Sequence, residues 1–247
     1  MNDSYLFGVS AVRVYETKML TFNDFLNLAG RNSYNEVSEE LKRRGYIKPG
    51  KYSVEEALKH KEKELTDKLL KAGIRIPDVF FLENDFYNIE LTVKCIYAGL
   101  EPEHLLKELS NPESRSLFKQ LKNGSQGKYT HIANHGLSLL NEDGNTHRCE
   151  QYIRDKFTET GINNSDSVFF REWFKLLSSL NNADSKNENI KINFLRKHKY
   201  DTFSIAPVFG FFYGTLTELR NIRTVLSGKK AGADKEEITE RLCLTYA

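Results

Sequence analysis

The chain has 247 residues, a formal net charge of +2, 39% hydrophobic and 28% charged residues. That balance is enough for one large domain or two modest lobes, and it demands neither nucleic acid nor an anionic membrane as partner. No apolar run approaches the roughly 20 residues that span a bilayer, and the opening "MNDSYLFGVSAVRVYETKML" lacks the basic region, apolar core and cleavage site of a secretory signal; the expectation is a soluble, cytoplasmic protein.

In chain order, helix starts are marked by a capping residue followed three positions later by an acid: Thr21 with Asp24, Ser33 with Glu36, Ser53 with Glu56, and Asp234 with Glu237. The first side chain can accept from orphan N–H groups while the acid complements the helix dipole. Stops are expected at Gly30, Gly45, Gly73, Gly99, Gly161 and Gly232, where a residue without Cβ can turn left-handed. Between them, Phe80, Phe81, Asn84, Tyr87, Asn88, Leu91, Cys95 and Ala98 step along one largely apolar face at helical spacing. No comparable period-two alternation is present, so the fold class is all-α, with about ten helices, most of them short.

Two segments are rich in turn formers, "KNGSQGK" at 122–128 and "NNADSKNE" at 181–188. The first predicts a boundary between an N-terminal helical lobe, 1–124, and a C-terminal one, 125–247. Cys95, Cys149 and Cys243 are too few and too scattered for a disulfide framework or zinc knuckle and read as buried thiols. Basic clusters at 196–199 and 229–230 read as solvated faces among many acids.

The most specific internal feature is a repeat. The stretch "DFYNIELTVKCIYAGLEPEHLLKEL", 85–109, aligns without gaps on the C-terminal "TELRNIRTVLSGKKAGADKEEITERL". Asn88-Ile89 falls on Asn221-Ile222, Gly99 on Gly232, Glu103 on Glu236, Leu105 on Ile238 and Leu109 on Leu242. Each copy predicts a long helix, a terminating glycine, then a short helix opened by acids. Duplicated helical hairpins imply repeated lobes, an architecture that serves binding more often than catalysis.

Sequence signatures of chemistry are sparse. Neither a Walker-type nor a dinucleotide-binding glycine loop occurs, so no direct nucleotide site is expected. His131 and His135 would share a helical face, but no intervening glutamate or third ligand accompanies them. No strand-turn-helix elbow supports a nucleophile. No catalytic, cofactor-binding or metal-binding residue is therefore assigned.

Five segments resemble, in order, the C subunit of bacterial and archaeal V/A-type ATPases and its eukaryotic relative, the d subunit of the vacuolar ATPase. They are "YLFGVSAVRVYETKMLTFNDFLNLAGRNSYNEVSEELKRRGY", "FFLENDFYNIELTVKCIYAG", "ANHGLSLLNEDGNTHRCEQYIRDK", "NENIKINFLRKHKYDTFSIAPVFGFF" and "FGFFYGTLTELRNIRTVLSGKKAGADKEEITERLCLTY". The resemblance implies a non-catalytic central-stalk (rotor) subunit, peripheral on the cytoplasmic face of the membrane, that couples the D and F shaft subunits to the membrane proteolipid ring for ATP-linked ion transport. It implies no cofactor, no nucleic acid partner, no bound nucleotide and no transmembrane segment of its own.

The family carries three lobes and three hairpin copies, whereas two are visible here. Phe157 to Ala183 would replace about a lobe's worth of chain, joining the start of lobe two to the end of lobe three. The candidate shaft or ring interface is Asp85, Asn88, Lys94, Glu218, Arg220, Asn221 and Arg223. For Asn88 and Asn221 the competing reading is a hydrogen bond to a neighbouring helix of their own lobe. Two other functions stay open: a shortened relative acting as regulator or assembly factor of the rotor, and a small metal-dependent helical enzyme built around His131 and His135.

Overall fold

The computed structural model describes residues 4–48, 52–163, 167–180 and 185–247. Among these residues there is no strand, and twelve α-helices follow one another. They are α1 (Ser4–Glu16), α2 (Phe22–Ala29), α3 (Tyr34–Arg43), α4 (Val54–Lys71), α5 (Leu82–Tyr97) and α6 (Pro112–Lys122). Then come α7 (Thr130–Asp143), α8 (Thr146–Asn163), α9 (Val168–Ser179), α10 (Ser185–Lys197), α11 (Ala206–Ala231) and α12 (Lys235–Glu240). A single 3-10 turn, Asp78–Phe81, leads into α5.

The chain divides into two compact units, one formed by Met1–Ile76 with Asn182–Ala247, the other by Pro77–Asn181. In the first, α11 is the organising element. Its first nine residues, Ala206–Gly214, are buried without interruption, as befits a helix apolar on all sides. Its second half turns Leu219, Ile222, Val225 and Leu226 onto Phe25 and Leu28 of α2, Val37 and Leu41 of α3, Leu58 of α4 and Ile238 of α12. Fully burying one such side chain contributes about 1.5–3 kcal/mol, so helices from both ends of the chain depend on one core.

In the second unit α5 is shared by α6, α7 and α8, and α9 packs on α8. Phe86, Ile89 and Val93 form its buried stripe. Phe157 continues the core, with its ring centroid 5.5 Å from Phe86 and 5.3 Å from Phe174. Such aromatic contacts add about 0.5–1.5 kcal/mol each beyond their area.

The helix starts form as read. Thr21, Ser53 and Asp234 close reciprocal capping boxes with Asp24, Glu56 and Glu237. Ser33 accepts from the Glu36 N–H, while the Glu36 carboxylate accepts from Asn32 instead. Gly99 and Gly232 both end their helices at positive φ, 69° and 78°. The following N–H groups, of Leu100 and Ala233, return to the carbonyls of Cys95 and Gly228 at 2.8 and 2.9 Å, the bond pattern of a Schellman stop.

Three expectations about local structure are corrected. Gly161 does not stop a helix; it lies inside α8, where a Cβ would stand 2.3 Å from the Phe174 ring, so its smallness lets α9 approach. The short helix expected after Gly99 does not form, and 100–110 is turns and bends. Glu101 stands where Asp234 caps α12, and His104 stands where Glu237 answers it, so this copy lacks a capping box. The "NNADSKNE" segment is helical from Ser185 onward, its 181–184 part lying outside the described residues.

The compact units also differ from the expected lobes 1–124 and 125–247. The turn-rich 122–128 segment links α6 to α7 within the second unit. A cut there would split the core that α6 and α7 share on α5, and would separate α11 from α2, α3 and α4.

Candidate functional site

The seven candidate residues fall on α5 and α11, and the structure sets four of them inside their own unit. On α5, Asp85 and Asn88 are fully buried, one turn apart. The Asp85 carboxylate accepts from the Asn111 N–H at 2.7 Å, the Ser114 hydroxyl at 2.8 Å and the Tyr129 hydroxyl at 2.9 Å. Asn88 Nδ2 donates to the Lys107 carbonyl at 3.1 Å, and its Oδ1 accepts from the Lys107 N–H at 2.7 Å. Asn84 adds a bond to the Leu109 carbonyl at 2.7 Å. Residues 100–110 have no helical ladder, so their backbone groups need partners when covered, and two polar side chains of α5, Asn84 and Asn88, supply some of them.

On α11, Glu218 and Asn221 repeat the acid-to-asparagine spacing. Glu218 is 3% exposed, and its Oε1 accepts from the Leu20 N–H at 2.7 Å and from the Tyr46 hydroxyl. Burial pushes its pKa up to about 7, although both hydrogen bonds and the charges of Lys61 and Lys68 act in the opposite sense. Burial and the adjoining Glu218 charge in turn push the Tyr46 hydroxyl up. Asn221 holds the Cys243 backbone by the same two-way amide contact that Asn88 makes to Lys107.

The remaining three candidates are cations closer to solvent. Lys94 bridges Glu90 on its own helix and Glu150 on α8, at 2.6 Å each. Arg223 reaches Glu55 at 3.1 Å and Glu62 at 2.7 Å, tying α11 to α4. Arg220, with 55% of its side chain exposed, contacts Glu188 at 3.1 Å. Glu188 is itself 3% exposed, with Lys191 at 3.0 Å and the Tyr213 hydroxyl at 3.1 Å. Burial alone would raise its carboxyl; Lys191 and Arg220 outweigh that and hold it below the usual range.

Sequence reasoning missed Glu188, Tyr46, Tyr129 and Asn111. Glu188 fell in a segment read as a turn, and Tyr46 lies 172 positions from Glu218. The one available signal was the repeat, because its ungapped register also sets Asp85 on Glu218. His131 and His135 are exposed on α7, where the His135 ring stands 4.4 Å from the Tyr152 ring. Among the described residues no group of three or more His, Cys, Asp or Glu side chains is placed to hold a metal ion. The cysteines are free and buried, and none of the described helices is long and apolar enough to cross a membrane.

The architecture is thus that of an all-α protein whose conspicuous polar clusters bind helices and backbone segments to one another. Residues 157–241, about a third of the chain, match the family model described as the ATP synthase (C/AC39) subunit. That span runs from the end of α8 through α12, and it supports the C/d family of V/A-type ATPase subunits, whose members are non-catalytic and accessory. Comparison with curated proteins and with solved structures returned no match.

Proposed function

We propose that the chain is a non-catalytic rotor subunit of a V/A-type ATPase, one that couples the D and F shaft to the membrane proteolipid ring on its cytoplasmic side. The observation that carries this reading is the family match over 157–241. It includes α11, the helix around which the first unit's core is built. A part that transmits torque needs stiffness, and close-packed helices resist deformation. Here the packing is reinforced by polar clamps: Asn88 on Lys107, Asn221 on Cys243, and Arg223 between two glutamates of α4.

We further propose that the α5 and α11 hairpins are copies of one ancestral unit, on the strength of the matched acid, asparagine and glycine positions and their matched bonding. The shaft or ring contact then falls to the partly exposed cations Lys94, Arg220 and Arg223. Asp85, Asn88, Glu218 and Asn221 would act beneath them by fixing helix position. Solvated cations paired to acids suit a contact that must grip without an extended hydrophobic seam.

Co-expression with the D and F subunits tests the reading. A complex at micromolar concentration that weakens when Arg220 and Arg223 are both changed to Gln is expected. Absence of any complex at low and at physiological salt overturns it. Recovery of the chain in assembling but not in finished ATP-hydrolysing particles would identify an assembly factor instead.

A further inference from the structure

A cleft of about 450 Å³ opens in the first unit between the end of α1, the turn after α3, the outer face of α4 and the middle of α11. Its volume is in the range of small-molecule sites. Tyr15, Tyr46 and Phe211 contribute aromatic wall, and Lys18, Lys61 and Lys68 bring three ammonium groups to it from α4 and the α1–α2 turn.

The carboxylates of Glu218 and Glu64 act on Lys68 through space but do not close on it as ion pairs. Among the described residues none of the three makes an ion pair with a carboxylate. Of the acids on the cleft, Glu64 is engaged by Lys48 at 3.4 Å, Asp67 lies exposed on the rim, and Glu218 is buried in the wall beneath Tyr46. Lys68 is half-buried, with its Nζ 4.1 Å from the Tyr15 ring centroid and 5.7 Å from that of Phe211. Lys61 Nζ stands 5.8 Å from the Tyr46 centroid. Burial, then the charges of Lys61 and Lys18, press the Lys68 ammonium toward its neutral form, and the charges of Glu218 and Glu64 offset this only in part. The aromatic faces return part of that cost, but a desolvated cation beside two like charges remains short of negative charge.

We propose that this cleft binds a small phosphate-bearing polyanion, with Lys18, Lys61 and Lys68 as its cationic contacts. Flexible ammonium groups suit a phosphate approached as a point charge from several sides. An anion seated among them relieves the mutual repulsion and replaces the water that burial has removed. The tyrosine and phenylalanine faces leave room for an organic portion beside the phosphates. The site is independent of the rotor assignment, so either can fail while the other stands.

The full chain is titrated with inorganic pyrophosphate by calorimetry at physiological salt, and in parallel mixed with phosphatidylglycerol vesicles and sedimented. Saturable one-to-one binding of pyrophosphate is expected, with a rise in the thermal midpoint. Lys68→Gln should weaken it about tenfold or more, while a control changing Lys229 and Lys230 to Gln leaves it intact. If Lys68→Gln fails to fold, Lys18→Gln, at an exposed position, is read in its place. No saturable heat, an equal loss in the control, indifference to the cleft variants, or binding to vesicles alone would each overturn the proposal.

Discussion

Asn221 closes a two-way hydrogen bond on Cys243, its Nδ2 donating to the carbonyl at 2.8 Å and its Oδ1 accepting from the N–H at 2.9 Å. Both residues are buried, at 0% and 3% exposure. The side chain thereby does for the C-terminal strap what a helix or strand partner would do, and it fixes that strap against the middle of α11. Asn221→Ala should cost about 2–4 kcal/mol, because it strands a buried N–H and a buried carbonyl together. Urea unfolding checks this, and Asn221→Asp, which sets a buried carboxylate oxygen against the Cys243 carbonyl, should cost at least as much as Ala at neutral pH.

Glu218 predicts a specific pH dependence. Its folded pKa of about 7 lies above the ordinary value of 4.5, so between those values the folded protein holds a proton that the unfolded chain has released. Stability from this group is therefore greatest below about pH 4.5 and declines as pH rises toward 7, by an amount on the order of 3 kcal/mol. Gln at this position can still accept from the Leu20 N–H and Tyr46 hydroxyl. Glu218→Gln should remove the decline, so its advantage over the parent in unfolding midpoint grows from pH 5 to pH 8. A constant difference across that range would count against the raised pKa.

Gly161 of α8 faces the Phe174 ring of α9 with no room for a side chain. Because a Cβ would lie 2.3 Å from the Phe174 ring, Gly161→Ala must displace a buried aromatic side chain and should destabilise by about 1–3 kcal/mol. Helix propensity alone would favour Ala by up to about 1 kcal/mol. The sign of the measured change in thermal unfolding therefore decides between packing and propensity.

Glu188 neutralises a buried cationic neighbourhood. Lys191 retains only 9% of its side-chain exposure and lies 3.0 Å away. Glu188→Gln should cost about 1–3 kcal/mol by removing the carboxylate charge from its contacts with Lys191, Arg220 and the Tyr213 hydroxyl. The double variant with Lys191→Met should recover a substantial part of the loss. Additive costs in the four-variant cycle would show that the two groups do not interact.

The all-α class and most helix ends were legible because they are local. Thr21 with Asp24 and Ser53 with Glu56 need only one turn of chain to satisfy each other, and the left-handed stops at Gly45, Gly73, Gly99 and Gly232 need only a missing Cβ. The same logic failed at Gly161, where the need for glycine comes from Phe174 on another helix. It failed again after Gly99, where apolar spacing resembled that after Gly232 but no capping box was present to start the second helix.

The sequence by itself determined the helices, their polarity of capping and the paired pattern that singled out α5 and α11, since each depends on side chains within a few positions of one another. Only the tertiary structure decided that Asp85, Asn88, Glu218 and Asn221 are buried while Arg220 reaches solvent, and that residues 1–76 share a core with residues 182–247. Those outcomes rest on partners such as Tyr46 and Leu20 for Glu218, about 170 to 200 residues apart along the chain. A buried polar group must find its hydrogen bonds wherever folding brings a partner, and no short-range pattern in the chain records where that will be.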